Sequence, residues 1–183
     1  MIKAFLVSGK EKRVEYGHPW IYKSDIDRLE GYVEPGSIVD VYSSKNKFVG
    51  RGYINTKSQI TIRILTTVQE DINENFFYKR ISDAWEYRKK IADINSCRVV
   101  FAESDFLPAL IVDKFSDYLV IQTLSYGIDK YKYQVVEILN DIIKPLGIYE
   151  RNDVPVRELE GLEQKKDFLR INSIQLYEWL KTV

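Results

Sequence analysis

The densest run of chemically capable side chains is Lys10-Glu11-Lys12-Arg13-Val14-Glu15-Tyr16-Gly17-His18-Pro19-Trp20-Ile21-Tyr22. Basic groups beside an imidazole and aromatic rings can hold phosphates and stack on unpaired bases. Trp20 and Tyr22 can also plug a small barrel while the lysines stay solvated, and burial is the commoner role for Trp. The residues alone leave both readings open. A second candidate is Gly50-Arg51-Gly52-Tyr53, where glycines inside a strand allow close backbone approach and Arg51 could reach a phosphate. A β-bulge without any ligand accounts for those glycines on local grounds. No G-x-G-x-x-G pattern is present, so neither segment is a dinucleotide cradle. Glu103-Ser104-Asp105 and Glu150-Arg151-Asn152-Asp153 invite a paired-carboxylate reading. Turn residues of this kind more often cap backbone groups, and no nucleophile or metal partner lies nearby in sequence. No catalytic residue is assigned. The single histidine, His18, has no visible Ser or Cys partner, and the single cysteine, Cys97, opens a strand and reads as buried and inert. One Cys and one His also rule out a disulfide framework and a Cys/His zinc cluster, so no metal ligands are assigned.

The elements that must carry these groups fall into two halves. Up to about residue 66, short segments rich in Val, Ile, Tyr and Phe (Ile2–Val7, Ser37–Tyr42, Lys47–Ile54, Ile60–Leu65) alternate with turns at Gly9, Gly17, Gly31, Pro35-Gly36 and Ser43–Asn46. This spacing predicts a small barrel or sandwich. From Asp71 or Asn73 to Asp93, Phe77, Ile81 and Trp85 recur every four residues, which predicts a helix joining two domains. Strands are predicted next at Arg98–Ala102, Ala109–Phe115 and Tyr118–Leu124, with a tight hairpin at Ser116-Asp117. A second helix is predicted over Asp129–Lys144, a short strand over Ile148–Arg151, and a helix of poor register over Phe168–Leu180. The fold class is therefore α+β: a β-barrel-like domain over 1–66, a connecting helix over 67–95, and a small α/β domain of strands plus one main helix over 96–183.

With 45% hydrophobic residues the 183-residue chain can bury a core. Its formal net charge is zero, but residues 1–66 hold 11 Lys/Arg against 7 Asp/Glu. That local excess is compatible with phosphate contacts confined to the first module, and equally with uneven surfaces. No secretory signal is visible and no run of 18 apolar residues occurs, so no membrane span and a cytoplasmic location are expected.

Taken together, Gly17–Tyr22, Pro35-Gly36, Asp40-Val41-Tyr42, Gly50–Asn55, Ser58-Gln59-Ile60 and Arg63-Ile64-Leu65 resemble a PUA domain. The resemblance is to the one that opens the bacterial 23S ribosomal RNA cytosine-5 methyltransferases of the large-subunit type. Ala102–Pro108, Ile111–Phe115, Ile148–Asp153, Val156-Arg157 and Glu160-Gly161-Leu162 are similar, in order and spacing, to the α/β linker domain that comes next in that family. The resemblance covers about residues 2–164. It implies an RNA-binding module of an S-adenosylmethionine-dependent family; together with the local basic excess and the basic-aromatic run, this makes Lys12, Arg13, His18 and Arg51 the expected RNA contacts. The family's catalytic domain, with its cofactor loop, aspartate-proline-proline motif and nucleophilic cysteine, has no counterpart in these residues. Lys165–Val183 does not match the family's segment at that position. No cofactor site and no activity are therefore expected of this chain alone. The expected partner is RNA, ribosomal in view of the resemblance. A second copy, or a separately encoded catalytic domain served in trans, is the alternative partner, and a structural or dimerisation fragment without an RNA role is a further alternative.

Overall fold

The computed structural model describes residues 2–172. The first half supplies the strands Ile2–Leu6 (β1), Trp20–Ile21 (β2), Ile26–Glu30 (β3), Ser37–Tyr42 (β4), Phe48–Ile54 (β5) and Ile62–Thr66 (β6), with a short helix Glu11–Glu15 (α1) between β1 and β2. Their order is β2-β6-β5-β4-β1-β3, with β1 and β4 parallel and the other pairs antiparallel. The sheet curls into a half-barrel around Ala4, Leu6, Val14, Ile21, Val39, Val41, Ile54, Ile62 and Ile64. Neither β3 nor α1 is legible in the sequence. β3 alternates poorly because four of its five residues face solvent. α1 buries only Val14.

The glycines of Gly50-Arg51-Gly52 serve strand packing. A Cβ on Gly52 would lie 2.0 Å from the Arg63 carbonyl oxygen, and one on Gly50 would lie 2.9 Å from that of Thr66. The register of β5 on β6 shifts between Arg51 and Gly52, the bulge expected on local grounds.

The second half opens with Glu74–Ile91 (α2), whose first turn is capped by Asn73 Oδ1 accepting from the Phe76 N–H at 3.2 Å. Its strands are Ser96–Phe101 (β7), Leu110–Phe115 (β8), Tyr118–Thr123 (β9), Gly147–Asn152 (β10) and Lys165–Ile171 (β11), in the order β11-β10-β9-β8-β7. Helices Tyr126–Lys130 (α3) and Lys132–Ile143 (α4) lie between β9 and β10, which run parallel. α2, read from sequence as a joint, sends Phe76, Phe77, Ile81, Ala84 and Trp85 into the second core with Val112, Leu119, Ile121, Val135, Leu139 and Ile148.

Two elements differ from the sequence reading. The helix expected over Asp129–Lys144 starts earlier and breaks at Tyr131, whose ring packs 4.8 Å from Phe77. The break lets α3 set Gly127 directly on the Tyr53 ring, where a Cβ would come within 2.0 Å. The helix expected over Phe168–Leu180 is wrong in its first turn. Phe168 to Ile171 belong to β11, held on β10 by backbone pairing and by the Phe168 ring edge-on to Tyr149 at 5.0 Å. Residues 173–183 of that expectation lie outside the described residues.

The two halves share a core. Tyr53 and Leu65 from the half-barrel sit in the second cluster, and the Tyr53 hydroxyl donates to the Pro108 carbonyl at 2.5 Å. Glu160, 2% exposed, reaches back into the half-barrel: Arg63 Nη2 lies 2.9 Å away and Asn55 Nδ2 3.0 Å, with the Ser58 hydroxyl also donating to it. A buried carboxylate so fully partnered ties the modules together.

Candidate nucleic-acid interface

The first module presents Lys12, Arg13 and His18 from α1 and the turn that leaves it. Lys12 is exposed, and Arg13 and His18 are partly so. The anchor beneath them is Asp25, 4% exposed. Lys10 Nζ lies 2.9 Å from it, Arg13 Nη1 3.8 Å, and the Tyr22 N–H donates to it at 3.1 Å. Burial alone would push the Asp25 carboxyl up. The hydrogen bonds from Lys10 and Tyr22, with the charges of Lys10 and Arg13, outweigh it and hold the group below its ordinary value.

The backbone N–H of Trp20 donates to His18 Nδ1 at 3.2 Å. Nε2 of the same ring lies 3.4 Å from Arg13 Nη2, within hydrogen-bond reach. The remaining N–H groups of the guanidinium, held beside the imidazole, are complementary to an anionic oxygen. The Arg13 guanidinium also lies 5.1 Å from the centre of the Tyr22 ring, which orients it.

Arg51 is placed differently. It is 8% exposed and pairs with Asp40 through two contacts of 2.6 and 3.2 Å, while its Nη1 donates to the Glu70 carbonyl at 2.5 Å. The hydrogen bond to Asp40 raises its already high pKa further. Its cationic head joins β4, β5 and the chain beyond β6. Trp20 neither plugs the barrel nor stands free. Its indole N–H donates to Glu103 Oε1 at 2.8 Å across the module boundary, and the His18 ring meets it edge-on at 5.4 Å.

The acidic motifs of the second module are structural. Asp105 accepts from the Phe101 N–H at 2.6 Å and from Arg88 at 2.6 and 3.1 Å. Glu150 is fully buried against Lys132 at 2.7 Å, and Arg157 lies 2.9 Å from Asp129. Cys97 is partly buried, and that burial pushes its thiol pKa up. Among the described residues no group of three or more His, Cys, Asp or Glu could hold a metal, and no helix is long and apolar enough to cross a membrane.

Sequence reasoning missed the cleft between the modules, about 580 Å³, where His18 and Pro19 face Lys79 and Arg80 of α2 and Phe106 of the loop after β7. Only assembly of distant segments creates it. Phe106 belongs to the Ala102–Pro108 segment, but nothing in its spacing marks it as exposed.

Residues 5–67 match the model of the PUA-like domain family. Over 163 residues the chain is 37% identical to a ribosomal RNA large subunit methyltransferase I from Vibrio vulnificus, covering 87% of this chain and 41% of the relative. Its counterparts from Vibrio cholerae and Photobacterium profundum are 40% and 39% identical, with 41% and 43% of their lengths covered. The chain is similar to the N-terminal, PUA-containing part of these methyltransferases. It spans about two fifths of the length of the curated relatives it matches. In fold it resembles a solved chain from Streptococcus mutans described as a SAM-dependent methyltransferase, with a TM-score of 0.76 at 18% identity over 94% of this chain and 44% of that one. A methyltransferase solved with SAH gives 0.72 at 18% identity, over 82% and 40% of the two chains. The PUA-like module thus keeps its architecture at low identity.

Proposed function

We propose that these residues are an RNA-recognition module related to the SAM-dependent 23S ribosomal RNA cytosine-5 methyltransferases, working in the cytoplasm on ribosomal RNA. The observation that carries the reading is the pairing of Arg13 Nη2 with His18 Nε2, 3.4 Å apart on the PUA-like module and flanked by exposed Lys12. The pair takes a backbone phosphate oxygen, and Lys12 adds a second, solvated charge. Arg51 contributes from within, by fixing β4 on β5.

The described residues do not fit S-adenosylmethionine. A cofactor crevice in a sheet of this kind opens at the carboxyl ends of adjacent parallel strands, beside a glycine-rich turn into a helix. The parallel pair of the second sheet is β9 and β10, and Leu124-Ser125 leads from β9 into α3. At those strand ends Thr123, Asn152, Asp129 and Arg157 are bonded to one another: the Thr123 hydroxyl to Asp129 at 2.6 Å, the Thr123 N–H to Asn152 at 2.8 Å, and Arg157 to Asp129 at 2.9 Å. No step of methyl transfer is assigned to this part.

A second reading, recognition in trans for a separate catalytic domain, is favoured by one face of the second sheet. α2 and α4 cover the side carrying Val112, Leu119, Ile121 and Ile148. Ile111, Phe115, Val120, Tyr149 and Phe168 alternate onto the other side, exposed or half-buried, and no helix among the described residues covers them.

The test is titration of a structured ribosomal RNA fragment by gel shift at two salt concentrations, in parallel with calorimetric titration of S-adenosylmethionine. The reading expects salt-sensitive RNA binding that Lys12→Ala and Arg13→Ala weaken, and no heat with the cofactor. RNA binding indifferent to both substitutions, or micromolar cofactor affinity, contradicts it.

A further inference from the structure

We propose that the cleft between the two modules seats one unpaired nucleotide of the bound RNA, its base stacked on Phe106 and its phosphates turned toward Lys79 and Arg80. The proposal rests on the RNA-binding reading above and extends it to the second module.

Three independent observations meet in this cleft. Its volume of about 580 Å³ is of the size that small-molecule sites occupy. Its most prominent apolar group, Phe106, is 64% exposed and so offers a ring face to a base. The ring is already backed by a cation, with the Arg80 guanidinium 5.1 Å from the Phe106 centroid and 5.2 Å from that of the buried Phe76. Arg80 is thereby held in place beside an aromatic platform, the combination that single-stranded nucleic-acid sites use for base and phosphate together.

The loop carrying Phe106 is held in an unfavourable backbone conformation. Ala102, Phe106 and Ala109 all have left-handed φ, at 43°, 58° and 66°, although none is glycine. The clamp of Arg88 and the Phe101 N–H on Asp105, with the Leu107 N–H donating to the Ala102 carbonyl at 3.0 Å, keeps it so. Strain of this kind persists where surrounding contacts over-determine it, and here it presents the ring outward.

Of the carboxylates on the cleft wall, Glu15 faces Lys47 at 3.8 Å, while Glu103, bonded to the Trp20 indole at 2.8 Å, and Glu70, accepting from the Thr66 hydroxyl at 2.6 Å, keep their charge. They direct the phosphates to the α2 side of the cleft, at Lys79 and Arg80. His18 lines the same cleft. A strand whose phosphate meets Arg13 and His18 is thereby already at the mouth of this cleft.

The experiment uses the whole chain and a fluorescein-labelled RNA hairpin with an unpaired loop, read by anisotropy at two salt concentrations, with a fully paired RNA of equal length beside it. Phe106→Ala should weaken loop binding by about 5- to 150-fold, the range for loss of one base stack, and leave the salt slope unchanged. Phe106→Tyr should restore affinity, and Lys79→Ala should lower the salt slope by about 0.7. Melting curves should show Phe106→Ala folded like the parent, since the ring is mostly exposed. If Phe106→Ala binds like the parent while Lys12→Ala weakens binding, the cleft assignment falls and the RNA-binding reading stands. Equal loss on loop and paired RNA overturns base stacking, and no binding by the parent overturns both readings.

Discussion

The two charged stretches that stand out in the chain have opposite fates. Lys10–Tyr22 lies on the half-barrel surface, with Lys12 exposed and Arg13 paired with His18. In Glu150–Glu160, by contrast, the side chains of Glu150, Asn152, Arg157 and Glu160 turn inward, each 3% exposed or less. The first stretch is free to meet an anion. The second spends its charge on itself and on the joint with the half-barrel. Charge in a motif is thus no sign of a binding surface until each group's partner is known. Glu160 shows how close the two cases can be, since its partner Arg63 belongs to the PUA-like module that also carries the first stretch.

The comparison breaks most visibly at Glu160. Glu160→Ala leaves Arg63 buried and uncompensated, and should cost about 3–5 kcal/mol in urea denaturation. Replacing the pair together, Glu160→Leu with Arg63→Met, should recover part of that loss, which a surface pair would not show. Next in size is Gly127→Ala, whose Cβ would strike the Tyr53 ring at 2.0 Å. Overpacking of this kind should cost about 1–3 kcal/mol and loosen the modules from one another, visible as faster amide exchange around Tyr53.

Acid sharpens the contrast from the other side. The Asp25 carboxyl titrates below its ordinary 3.8, so its support of α1 is complete above that pH and is lost as pH falls through the depressed folded value. Chemical shifts of α1 amides followed from pH 6 to 2 should change late, below the ordinary carboxylate range, and Asp25→Asn should abolish that transition. The smallest effect on stability belongs to Lys12→Ala, within about 0.5 kcal/mol of the parent by denaturation.

Much of the scaffold is legible in the sequence because it rests on local signals. Phe77, Ile81 and Trp85 announce α2, and Ser116-Asp117 with flanking β-branched residues announces the β8–β9 hairpin. β3 escapes because an edge strand with solvent-facing residues carries no alternation. β11 escapes because Phe168, Leu169 and Ile171 suit a helix locally, and only the pairing with β10 decides. Of the four expected RNA contacts, Lys12, Arg13 and His18 are neighbours in sequence and remain neighbours in space. Arg51 is buried because Asp40, eleven residues away in sequence, becomes its cross-strand partner. Lys79, Arg80 and Phe106 cannot be gathered from sequence at all, since α2 and the loop after β7 meet His18 only once the modules dock.

The central claim is that the Lys12–Arg13–His18 surface meets phosphate while the buried charges of the second module do not. Its most direct measurement is the slope of log K against log salt for binding of a single-stranded ribosomal RNA segment, in the parent, Lys12→Ala and Arg151→Ala. Arg151 is an exposed cation of the second stretch, paired with Asp153 at 3.6 Å, and serves as the matched control. The account predicts that Lys12→Ala flattens the slope by about 0.7, the value for one lost phosphate contact, and that Arg151→Ala leaves it unchanged. A slope that responds to Arg151→Ala and not to Lys12→Ala would place the RNA on the wrong module and contradict it.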